Sequence, residues 1–215
     1  MEARGRGRYR GWLWAALTCA LLVGIAVVWL DRPIATFVHA QFQDKTIFDR
    51  MQKLPEILPG AAAVILAGLV LAAAVGWRGG ATCEVLVRCG LSLLAAAAIK
   101  DQLKFLFGRT WPETWINNNP SFIKDGVFGF FPLHGGPGWA AFPSGHMSAI
   151  TSVLAVLWVK WPQLRWLWAL LWLDVAVGLI GADYHWLSDI VAGSFLGAAV
   201  GVVAARLRSG DQRTS

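Results

Sequence analysis

Apolar residues fall into six blocks, separated by segments rich in charge, glycine and proline. The blocks run from Gly11 to Leu30, Pro59 to Trp77, Cys83 to Phe107, Pro143 to Trp161, Trp166 to Ala182 and Asp189 to Leu207. As helices of about 17 to 25 residues, each can cross the roughly 30 Å hydrocarbon core of a bilayer. The pattern predicts an all-α integral membrane protein, a six-helix bundle over 11–207 with short tails at 1–10 and 208–215. A cleaved signal peptide is the rival reading of the first block. That block is long for a signal sequence, and Val38-His39-Ala40 is only a weak cleavage site. Small residues in the second block, rich in Ala, Gly and Val, suit close helix packing in lipid.

The polar segments set the topology. Arg4, Arg6, Arg8 and Arg10 make a flexible basic tail, Arg206, Arg208 and Arg213 close the chain, and Arg78, Lys160 and Arg165 sit in short turns. Positive charge of this kind stays in the cytoplasm, which places both termini inside. It also accounts for the net charge of +6 without nucleic acid. Residues 31–58 read as an external loop with a short amphipathic helix near Phe37 to Met51, and His39 as a surface histidine of that loop. The longest non-spanning segment, 108–142, reads as an outer loop. Its Phe122, Phe128, Phe130 and Phe131 could rest on lipid, and His134 belongs to it. At 56% hydrophobic and 15% charged, the chain is too apolar for a soluble domain. Cys19, Cys83 and Cys89 form no disulfide or metal framework.

Charge at membrane depth is costly and marks candidate sites. Lys100, Asp101 and Lys104 end the third block, the two lysines sharing a helix face. Either the lysines snorkel to the interface or they face a ligand. Asp174, alone in the fifth block, is expected to pair with a neighbouring helix. With the termini inside, the end of span three, the start of span four and the turn between spans five and six meet on one outer face. They carry Lys104, His146 and His185.

Pro143-Ser144-Gly145-His146 opens the fourth span. The free N–H groups of a helix start, with the macrodipole, favour an anion such as phosphate. His185 and Asp189, four apart, share a face; the carboxylate can hold one ring nitrogen and leave the other as nucleophile or base. His146 can then serve as general acid, with Lys104 and the amides of Ser144, Gly145 and His146 on phosphate oxygens. A His-x3-Asp pair is equally half of a metal site, but no cluster in the sequence completes one.

Across roughly Lys104 to Gly197 the chain resembles the type-2 phosphatidic acid phosphatase family of membrane lipid phosphatases. The family's motifs are Lys-x6-Arg-Pro, Pro-Ser-Gly-His and Arg-x5-His-x3-Asp. Here the first runs from Lys104 through Arg109 to Trp111-Pro112, the second is intact at 143–146, and the third runs from Leu179 to His185 and Asp189, followed by Ala192-Gly193. The resemblance implies metal-independent hydrolysis of a lipid phosphate or diphosphate at the outer face of a bacterial inner membrane, with no cofactor. It makes His185 the nucleophile that becomes phosphohistidine, Asp189 its orienting partner and His146 the acid. Lys104, Ser144 and Gly145 would bind phosphate. Two motif arginines are replaced, by Trp111 and Leu179, and Asp183 adds negative charge nearby. Arg109, Lys100 or Lys124 are the cations available to rebuild the clamp, Arg109 first. The alternatives are a lipid phosphotransferase and a non-catalytic lipid-phosphate binding or transport protein on the same fold.

Overall fold

The computed structural model describes residues 2–207, with side chains from Arg10 onward. The carboxy-terminal tail predicted at 208–215 lies outside the described residues. Helices are α1 (Glu2–Ile25), α2 (Asp31–Gln41), α3 (Thr46–Met51), α4 (Leu54–Ala74), α5 (Ala81–Phe107), α6 (Phe122–Asp125), α7 (Gly145–Lys160), α8 (Arg165–Gly181) and α9 (Leu187–Ala205). Among the described residues β-structure is limited to isolated bridges, as the all-α reading requires. Among the described residues five helical stretches are long and apolar enough to cross a membrane: Arg10–Gln41, Thr46–Ala74, Ala81–Phe107, Pro162–Gly181 and Leu187–Ala205. Gly145–Lys160 is a shorter apolar helix inside the same bundle.

The first two spans depart from expectation. Helix starts at Glu2, within the stretch expected to be a flexible tail, and does not stop at Leu30. A π-helical segment, Ala26–Leu30, leads straight into α2. Pro33 falls in the first turn of α2, directly after the π-helical segment. In place of an external loop over 31–58 there are α2, α3 and the start of α4, and Pro59 lies inside α4. Asp31, expected in solvent, is 1% exposed.

The bundle is centred on α7 and α9. Gly193, Gly197 and Gly201 form one face of α9, and a Cβ at each would meet the carbonyl oxygens of Ser144, Ser148 and Ser152 at 2.6, 2.6 and 2.3 Å. Backbone therefore lies on backbone along this seam, as small residues allow between membrane helices. Met147, Ile150, Leu154, Val175, Leu179 and Ile190 fill the space between α7, α8 and α9. Short α3 lies across α8, where Gly178 and Gly181 leave room for Met51 and Phe48. Asp174, expected to pair, stands exposed on α8 without a partner among the described residues.

Candidate active site

At one end of the bundle a cavity of about 460 Å³ opens between α4, α5 and α7. Its polar end is formed by Lys100, Lys104, His146, Tyr184 and His185, with Trp111 and Gly145 beside them. Its remainder is apolar, walled by residues such as Ala62, Leu66, Leu93 and Ala149. A polar end on an apolar groove suits an amphiphile.

Ser144 caps α7, its hydroxyl accepting from the Met147 N–H at 3.3 Å, and its own N–H donates to the Asp189 carbonyl at 3.1 Å. The Gly145 and His146 amides lie in the first turn, where no intrahelical acceptor exists. A Cβ at Gly145 would lie 3.2 Å from Lys100 Cδ and 3.8 Å from both the Lys100 and the Lys104 Nζ, so both side chains reach this point of the helix start. Lys104 is tethered by the Ala140 carbonyl at 2.5 Å, and Lys100 by Asp101 at 2.7 Å. The helix start and both ammonium groups thus converge on one spot, an arrangement that favours an anion.

His146 and His185 face each other across the cavity with ring centroids 6.4 Å apart. His185 Nδ1 lies 3.2 Å from Asp189 Oδ2, which also accepts the Trp186 N–H at 3.1 Å. Ionised Asp189 makes Nδ1 the donor and leaves Nε2 free as a lone pair. The carbonyl of Leu179 accepts from the N–H groups of Tyr184 and His185 and fixes the turn that carries them. Burial holds the His185 pKa below its ordinary value, against the opposing pull of Asp189. Burial raises the Tyr184 phenol, with Glu56 adding to it.

Arg109, expected on substrate oxygens, is 0% exposed and does not line the cavity. Its Nη1 donates to Asp189 Oδ1 at 2.7 Å and to Ser188, and its Nη2 to Asp31 Oδ2 at 2.6 Å. Phe128, Phe130, Phe142 and Trp186 surround the guanidinium, its carbon 4.6 Å from the Phe130 centroid. Phe128 and Phe130 therefore cover this buried charge, a role different from the lipid contact expected of them. Gly108, at φ +54° and ending α5, starts the loop that carries Arg109 back; a Cβ there would collide with the Phe131 carbonyl oxygen. Leu179 is buried in the α7–α8–α9 core, and Lys124 pairs with Asn118 on the surface. Neither reaches the cavity. Of the cations proposed from sequence, only Lys100 joins Lys104 there.

Three participants were not singled out from sequence. Asp31 and Ser188 hold Arg109, and Glu56 lies 3.8 Å from His146 Nε2. Beside the site, His39, Glu113 and Asp183 bring potential metal-ligand atoms within 4.8 Å of one another. The Lys45 ammonium stands 2.9 Å from Asp183 and answers its charge, and His39 Nδ1 lies 3.0 Å from the same carboxylate. His39, its side chain 41% exposed, lies at the surface as expected and hydrogen-bonds to Asp183; His134 packs on Phe131 and Trp139 in the loop.

The model of the PAP2 superfamily matches residues 85–213. The chain belongs to the PAP2 superfamily. Among solved structures it is similar to one described as a transmembrane PAP2-type phosphatidylglycerolphosphate phosphatase from Bacillus subtilis. The two superpose with a TM-score of 0.56 at 17% identity, over 90% of this chain and 93% of that one. No curated protein matches the sequence. The PAP2 match takes in most of α5 and all of α6 to α9, and so holds Lys100, Lys104, His146, His185 and Asp189; it leaves α1 to α4, with Asp31 and Glu56, outside.

Proposed function

We propose that the chain hydrolyses the phosphate or diphosphate head of a lipid through a phosphohistidine on His185, without metal, at the outer face of a bacterial inner membrane. The observation that carries this is the pair of imidazoles 6.4 Å apart across a cavity that is cationic at one end and apolar beyond. The lipid tail lies in the apolar groove and the phosphate at the start of α7. Lys104, Lys100 and the first-turn amides, including that of Gly145, hold its oxygens, and Ser144 shapes the helix start.

In the first step His185 Nε2 attacks phosphorus. The bond from phosphorus to the leaving oxygen breaks, and protonated His146 gives that oxygen its proton. Asp189 accepts the hydrogen bond of the Nδ1–H, which stays on the ring throughout, and stabilises the charge that grows there. In the second step a water attacks phosphorus, His146 takes its proton, and the N–P bond breaks to release phosphate and neutral His185. The lysines stabilise the spreading negative charge in both steps.

The test is phosphate release by the purified protein in detergent from a panel of lipid mono- and diphosphates, with no metal added, beside His185→Ala. The expected result is release that His185→Ala abolishes, together with acid-labile phosphate on the wild-type chain alone. Release that survives in His185→Ala would overturn the phosphohistidine, and its absence from every substrate would overturn the hydrolase.

A further inference from the structure

The buried charges behind His185 form a chain whose far member, Asp31, belongs to the first membrane helix. Asp31, Arg109 and Asp189 all have side chains 0% exposed. The guanidinium divides between the two acids, Nη2 to Asp31 at 2.6 Å and Nη1 to Asp189 at 2.7 Å. Asp31 also accepts the Ser188 N–H at 3.0 Å and its hydroxyl at 2.6 Å, so it holds the first turn of α9, in which Asp189 lies. An acid at a helix start is favourably placed.

The charge balance gives Asp31 a purpose beyond packing. Arginine stays protonated. A lone Arg109 against a lone Asp189 would cancel the carboxylate and leave His185 facing no net negative charge. With Asp31 present, the three groups sum to one negative charge, and Asp189 keeps its hold on the imidazole. Buried charges interact strongly because little water screens them.

We propose that Asp31 is a positioning residue for the reaction at His185: by taking up the charge of Arg109, it leaves the Asp189 carboxylate free to polarise the imidazole. This rests on the reading of His185 as the nucleophile. Asp31 lies outside the part of the chain that the PAP2 model covers. The charged and titratable groups around His185 are Asp189 from α9, Lys104 from α5, His146 from α7, Arg109 from the loop, and Asp183 and Tyr184 from its own turn. Asp31 acts through Arg109.

The test compares Asp31→Asn, Arg109→Gln and the double variant with the full wild-type chain in detergent. The titration midpoint of His185 is read by NMR on protein labelled with ¹⁵N-histidine, which contains only 4 histidines. Turnover against pH is measured in parallel. Asp31→Asn should lower the His185 midpoint by about one pH unit and reduce kcat about tenfold, with KM little changed. Arg109→Gln should raise the midpoint. The double variant, which restores the net charge of the cluster, should return close to wild type. Should Asp31→Asn not fold, the step from Arg109→Gln to the double variant measures the same downward shift. Loss of the Asp31 charge that moves the midpoint in neither background would overturn the proposal, even if activity fell. Because the midpoint needs no turnover, its failure is distinct from an absence of hydrolysis.

Discussion

The Trp111 indole and the His185 imidazole lie ring against ring, centroids 5.0 Å apart and planes inclined at 44°. The motif resemblance puts an arginine where Trp111 stands. The indole is held in place by its N–H, which donates to the Pro137 carbonyl at 2.8 Å, and the Lys104 ammonium lies 5.6 Å from its centre. Aromatic carbon thus stands where the motif has an arginine, and two lysines of α5 bring positive charge to the cavity. Trp111→Ala should remove that wall and cost about 3 kcal/mol of stability, visible as earlier thermal unfolding in detergent.

Lys100 carries weight here that it would not need beside a full set of arginines. Lys100→Met keeps the stem and removes the charge. It should raise KM for a lipid phosphate about tenfold, the loss of roughly 1.4 kcal/mol of binding, with a smaller effect on kcat. Since Lys100 lies one helical turn back from Lys104, the penalty should be larger for a lipid diphosphate than for the matching monophosphate. Steady-state kinetics on such a pair would check it.

Asp189→Asn should be severe, because an amide cannot stabilise the cationic ring and can present the wrong group to Nδ1. A fall of about 10³ to 10⁴ in kcat is expected, by analogy with carboxylates that orient a histidine in other hydrolases. Rapid-quench measurement of phosphoenzyme formation should locate the loss in the first step.

Burial lowers the His185 pKa, so the imidazole stays neutral and nucleophilic to a lower pH than an ordinary histidine at about 6.5. The acid limb of phosphoenzyme formation that belongs to His185 should therefore lie below that value. Stability follows the same sign. The unfolded chain takes up the proton first, so this contribution is present above pH 6.5 or so and is lost as pH falls through the folded value. Thermal unfolding as a function of pH, compared with His185→Gln, would show the difference.

The glycine face of α9 separates stability from activity. Gly201→Ala, where a Cβ would press on the Ser152 carbonyl, should destabilise the bundle and leave KM and kcat of the folded fraction near wild type. Gly193→Ala presses on the Ser144 carbonyl at the start of α7. It should raise KM as well, because it displaces the first-turn amides proposed to hold phosphate. Kinetics normalised to folded protein would distinguish the two.

Much of this architecture is legible in the sequence because lipid imposes a simple rule: long apolar blocks become helices, and charge within them needs a reason. Lys104, His146, His185 and Asp189 were readable from motif spacing and converge as the order of spans implies. What escaped was set by contacts distant in sequence. Asp31-Arg32-Pro33 looks like the end of a span because nothing local shows that the partner of Asp31 is Arg109. Arg109 looks like a free cation for phosphate because its two carboxylates lie 78 and 80 residues away. Glu56 was hidden in a segment whose polarity resembles a loop, yet it begins α4.

The π-helical segment at Ala26–Leu30 gives the first helix a phase as well as a length. A regular α-helix turns about 100° per residue, so one residue more or fewer in that segment rotates everything after it by that angle. Asp31 follows immediately. Deleting a single residue between Ala26 and Leu30 would leave hydropathy and span almost unchanged, but would swing the carboxylate out of line with Arg109. The aim of a charge in the heart of the protein is thus set by the winding of a helix that, by composition alone, could pass for a simple anchor.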